Sequence, residues 1–180
     1  MAEANQVLHS STHSGFRKQG VLSGLFAVYI GDVIFALIYP IALGIVSGFR
    51  AQGFLAIYLS VAVISWVTGL VVSIIPGVLG GLCLALLLNQ DAVKGQLTSQ
   101  KASLKGTLVG ALAGIISSLI SVFFLFSSIT SDSVFSYGIN GETGVVTIIK
   151  LALITVLPIA IAIFMGAWSG RRLARYFSNE

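Results

Sequence analysis

Residues 106–129 read GTLVGALAGIISSLISVFFLFSSI, with no charged side chain and with glycine at 106, 110 and 114. An uninterrupted apolar stretch of about 18 residues or more reads as a transmembrane helix, because ~20 residues rising 1.5 Å each cross a hydrocarbon core ~30 Å thick. Three other stretches have the same character, about 21–48, 54–89 and 145–170. Only 9% of the chain is Asp, Glu, Lys or Arg, where a soluble domain carries roughly a quarter. The fold expected is all-α: a polytopic membrane protein built as a four-helix transmembrane bundle. Residues 1–20 read as a disordered tail and 171–180 as a basic tail, and no room remains for a separate soluble domain.

The second run is long for one crossing. As a single helix, 54–89 would extend ~54 Å. A turn at Pro76-Gly77 would divide it into two spans and make five in all. Charge decides against this, since Lys and Arg concentrate on the cytoplasmic side of membrane proteins. With four spans and a cytoplasmic N-terminus, Arg17, Lys18, Lys94, Lys101, Lys105, Arg171, Arg172 and Arg175 share the cytoplasmic side, leaving Arg50 and Lys150 opposite. Five spans would scatter them. Both termini are therefore expected in the cytoplasm, with 54–64 lying in the interface or strongly tilted and a kink at Pro76. The membrane expected is a bacterial-type inner or plasma membrane. The basic residues flank spans rather than forming a dense patch, which argues against nucleic acid. The first run is about twice the length of a signal-peptide core and lacks a cleavage motif, so it reads as a retained span.

Lipid tails are as apolar as leucine, so membrane helices associate through close contact of small residues. Gly106, Gly110 and Gly114, followed by Ser118, recur every fourth residue and drift only ~40° per step around a helix. Gly77, Gly81 and Ala85 repeat the device in the second run, Ala162, Gly166 and Gly170 in the fourth, and Gly44 and Gly48 in the first. Such faces serve either the bundle itself or a partner, a second copy included.

Asp32 is the one acidic residue inside any run. An aspartate at the bilayer centre costs about 2.5–3.5 kcal/mol on insertion scales, so it is a candidate proton or cation site. Tyr29, Tyr39, Ser65 and Thr68 are candidate partners. The alternative places Gly31-Asp32 at a helix N-cap near the interface, with 21–31 along the membrane surface. Prolines 40, 76 and 158 fall within apolar runs, where broken helices can frame a solute path.

Membrane proteolysis finds no machinery. Aspartyl catalysis needs two carboxylates, and no second Asp or Glu lies in a run. Serine and zinc proteases need an in-membrane histidine, and both histidines, His9 and His13, precede the first run. No cofactor or metal is expected, and Cys83, the single cysteine, reads as a buried free thiol. Arg171, Arg172 and Arg175, with Tyr176 and Phe177, suit lipid headgroups and topology anchoring. The segment 131–144, with Asp132, Phe135, Tyr137 and Asn140-Gly141, is a connector or a partner contact. The leading expectation is a non-enzymatic accessory or structural membrane subunit, a homo-oligomer or part of a larger complex, docking through glycine faces. The alternative is a small transporter or channel centred on Asp32.

Overall fold

The computed structural model describes the backbone of residues 2–47, 54–130 and 144–178, with side chains described chiefly over 15–45, 58–123 and 151–177. Four helices follow one another: α1 (Ala2–Ser47), α2 (Phe54–Val93), α3 (Ser99–Thr130) and α4 (Gly144–Ser178). Each contains a span long and apolar enough to cross a membrane: Gly15–Ile45, Tyr58–Val93, Ser99–Phe123 and Leu151–Phe177. No strand occurs among the described residues. Large apolar side chains cover the outside of all four helices, Leu22, Val71, Leu108 and Phe164 among them, each more than half exposed. In water such a surface would aggregate, and in lipid it is the solvated face. The chain is a four-span, all-helical membrane protein.

Several boundaries differ from the sequence reading. α1 is helical back to Ala2, where a disordered tail over residues 1–20 was expected, and its membrane-crossing span begins at Gly15. The end of α4 is likewise part of the bundle. Leu173, Ala174 and Phe177 are buried with Leu84, Leu88 and Ala102, because positions i, i+1 and i+4 share one helix face. The segment 54–64 belongs to α2, and Tyr58 Oη donates to the Leu37 carbonyl of α1 at 3.2 Å, which ties it to the bundle. Cys83 is exposed on the outer surface, contrary to the buried thiol expected. The connector with Asp132 and Glu142 lies outside the described residues, as do the side chains of His9, His13, Arg50 and Lys150.

The turn between α2 and α3 spans only 94–98. Gly95 has φ 63°, a left-handed conformation that costs glycine little. Gln96 N–H donates to the Asp91 carbonyl and Gly95 N–H to that of Ala92, at 2.9 and 3.0 Å, which satisfies the last carbonyls of α2. Thr98 caps α3, its Oγ1 accepting from Lys101 N–H at 3.2 Å. Lys105 Nζ then pairs with Asp91 Oδ2 at 2.7 Å and closes the hairpin.

Packing divides the bundle into two antiparallel hairpins. A Cβ on Gly24 would strike the Gly77 carbonyl, and one on Gly20 would lie 2.8 Å from the Gly81 carbonyl oxygen. In the second hairpin, a Cβ on Gly106 would strike the Gly166 carbonyl, one on Gly110 the Ala162 carbonyl, and one on Gly170 the Ala102 carbonyl. The backbones thus touch without intervening side chains. The two hairpins share a register: Gly20 and Gly24 plus 86 are Gly106 and Gly110, while Gly81 and Ala85 plus 85 are Gly166 and Gly170. α1 also packs on α4, and α2 on α3, whereas no Cα of α1 lies within 8 Å of one in α3 among the described residues. Phe16 meets Phe177 with ring centroids 4.4 Å apart, so the start of the α1 span and the end of α4 share one end of the bundle.

Opposite effects are expected at two glycines. Gly110→Ala forces the α3 and α4 backbones apart and lowers unfolding stability by about 1–3 kcal/mol. Gly15→Ala, whose Cβ meets nothing within 4 Å, raises it by up to about 1 kcal/mol through helix propensity. Detergent-titrated unfolding of the purified protein measures both.

Candidate functional site

The residue that needs explaining is Asp32. It lies 17 residues from Gly15 and 13 from Ile45, near the middle of the α1 span. α1 runs unbroken through Gly31 and Asp32, so neither an N-cap nor a surface-lying 21–31 segment is present. The physical reason is the contact just described. Gly20 and Gly24 press against Gly77 and Gly81, which holds the first half of α1 inside the bundle.

The same register brings Asp32 to α2. Gly24 sums with Gly77 to 101, as Asp32 does with Gly69; Gly24 sums with Gly81 to 105, as Asp32 does with Ser73. Ser73 Oγ donates to Asp32 Oδ1 across a long 3.4 Å. Gly69 makes room, since a Cβ there would lie 3.0 Å from the same oxygen. Asp32 is 8% exposed, and its Oδ2 accepts no hydrogen bond from any described residue.

Asp32 lines a cavity of about 390 Å³ walled by all four helices, within the range of roughly 300–1,000 Å³ usual for small-molecule sites. No other Asp, Glu, Lys, Arg or His lines it among the described residues. Of the partners suggested by sequence, Tyr39, Ser65 and Thr68 line the same cavity. Tyr29 instead turns outward and meets Trp66 edge-on at 6.2 Å. Phe35 and Tyr39, one and two turns beyond Asp32, stack with centroids 5.1 Å apart and planes 17° apart. Ser23 on α1 and Ser169 on α4 also line the cavity, and both are buried with hydroxyls that bond no described residue. Two α3 hydroxyls are satisfied by backbone: Ser121 Oγ donates to the Ser117 carbonyl and Ser118 Oγ to that of Thr155, each at 3.0 Å.

Gly77, Gly81, Gly106, Gly110, Gly114 and Gly166 line the cavity as well as forming the helix contacts, while Gly170 packs below it against Ala102 and Gly106. Arg171, Arg172 and Arg175 are exposed at the end of α4. The Arg172 guanidinium lies over Phe26 and Trp168 at 5.1 and 5.3 Å from the ring centroids, and Arg171 Nε donates to Ser103 Oγ at 3.1 Å. None of these arginines lines the cavity. No group of three or more His, Cys, Asp or Glu stands together among the described residues.

The sequence reading missed Ser23, Phe35 and Ser169 in the cavity wall, and Ser73 and Gly69 against the carboxylate itself. The signal for the last two was present: counting back in fours from Gly81 and Gly77 reaches both. Comparison with protein families, curated proteins and solved structures gives no match for this chain.

A carboxylate with one long hydrogen bond in an apolar interior is an energetic burden on folding. Replacing it with an apolar residue of similar volume relieves that burden. Asp32→Leu is therefore expected to raise unfolding stability by about 1–3 kcal/mol, measured in the same detergent titration. A carboxylate kept for folding would give the opposite sign.

Proposed function

We propose that this chain is a non-enzymatic membrane carrier for a small solute, with Asp32 as the residue that holds the solute's charge. One observation carries the reading: a carboxylate buried mid-span, with an oxygen that bonds no described residue, in a cavity shared by all four helices. Ionisable groups at that depth are costly and mark solute or proton routes. Unsatisfied buried polar atoms are retained where a ligand can use them.

The alternative, an accessory subunit docking through glycine faces, has less to work with. The stripes at Gly20–Gly24, Gly77–Gly81, Gly106–Gly114 and Gly166–Gly170 meet one another inside the chain, which leaves those faces unavailable to a partner. The membrane proposed is an inner or plasma membrane, with the basic end of the bundle, including Arg17, Lys18 and Arg171, toward the cytoplasm.

In proteoliposomes, wild-type protein is expected to carry protons or monovalent cations down an imposed gradient, and Asp32→Asn to reduce the flux to that of protein-free vesicles. Flux equal in the two proteins, or absent from both, rejects the carrier reading.

A further inference from the structure

We infer that the cavity takes a monovalent organic cation with an apolar body, its charged nitrogen held by Asp32 and the neighbouring rings of Phe35 and Tyr39. The inference rests on the carrier reading in taking the same cavity as the solute site.

Charge comes first. Asp32 is the only charged residue lining the cavity among the described residues, so neutrality in a low-dielectric interior calls for one positive charge on the occupant. A dication would be left half-compensated, and an anion would face an unopposed carboxylate.

Coordination comes second. Hard metal ions such as Ca²⁺ take six to eight oxygens, and Mg²⁺ an octahedron, most often from carboxylates and carbonyls. Here Asp32 supplies one unbonded oxygen. Ser73 approaches the other, and its hydroxyl proton is already turned toward that carboxylate. The other polar groups lining the cavity are single hydroxyls, Ser23, Ser65, Thr68 and Ser169 among them, with no second carboxylate among the described lining residues. Between those hydroxyls the lining is apolar, with Val28, Val72, Ile161 and Met165. An occupant that needs few oxygens and gains from apolar contact suits such a wall.

Third, the aromatic pair. Residues 32, 35 and 39 lie at i, i+3 and i+7, one face of α1, and all three line the cavity. Phe35 and Tyr39 stack on each other one and two turns along α1 from the carboxylate, and each lines the cavity. Ring faces attract alkylated ammonium groups through their quadrupole, and such attraction strengthens where water is excluded. A carboxylate that shares its cavity with aromatic rings can bind a quaternary ammonium, which has no N–H to donate.

The test is equilibrium binding to the full chain in nanodiscs, with protein-free nanodiscs as the baseline. The probes are benzyltrimethylammonium and its neutral carbon isostere neopentylbenzene, which share shape and differ in charge. Wild type is expected to bind the cation at least about tenfold more tightly than the isostere, the scale of a desolvated cation–ring contact joined to an ion pair. Asp32→Asn should abolish the preference, and Asp32→Glu, which keeps the charge, should retain most of it. Phe35→Leu should weaken the cation several-fold and leave the isostere unchanged. Equal binding of the two probes, a preference that survives in Asp32→Asn, or no binding above baseline overturns the inference. Asp32-dependent flux of protons or inorganic cations without benzyltrimethylammonium binding would defeat the inference and spare the carrier reading. Asp32-dependent binding without any flux would leave the site standing and defeat the carrier.

Discussion

Close backbone contact between helices is the constraint on which this molecule depends. In lipid, burying leucine against leucine gains little over leaving it in acyl chains, so association has to come from dispersion at short range. Gly20 and Gly24 against Gly77 and Gly81, and Gly106 and Gly110 against Ala162 and Gly166, provide that range. A side chain at any of these glycines would separate the helices where van der Waals contact is the main attraction. Register follows from the same contacts. Once Gly24 lies on Gly77, each other residue of α1 has its opposite number on α2.

That register explains how a carboxylate can sit mid-bundle. Asp32 occupies the next place but one on the Gly20–Gly24 stripe and meets Gly69 and Ser73, which continue the Gly77–Gly81 stripe. Gly69 offers space and Ser73 a weak donor. Neither neutralises the group. The site is therefore a modification of a packing motif: the spacing that brings two helices together also places one polar residue where they leave a gap.

The second hairpin shows what the unmodified motif looks like. Under the shift of 86 that takes Gly20 to Gly106, Asp32 corresponds to Ser118, whose hydroxyl donates to the Thr155 carbonyl. One hairpin closes its stripe with a satisfied serine, the other with an aspartate whose Oδ2 is unbonded. The hairpins face each other around the cavity, so the more fully satisfied one acts as a wall for the polar group of the other. At the far end Leu88, Ala102, Leu173 and Phe177 make the dense part of the core, beneath a surface rich in Lys and Arg.

Number of spans, helical class and the small-residue faces were legible in the sequence because hydropathy and spacing act locally, over ~20 residues or a single turn. The eight basic residues sorted to one end for the same reason. Helix limits were less legible. Gly95 and Thr98 are cap residues whose meaning depends on φ and on which carbonyls they meet, and Leu173 and Phe177 read as tail until a partner surface at Leu84 and Leu88 covers them. Asp32 was visible as an anomaly, yet whether it capped a helix at the interface or faced the interior is not encoded within α1. That depends on α2 and α4 crossing it, and on a register of contacts between residues about forty positions apart. The sequence by itself determined what must lie in lipid and which faces can approach; only the tertiary structure decided what the one buried charge looks upon, because a cavity belongs to the space between helices and not to any one of them.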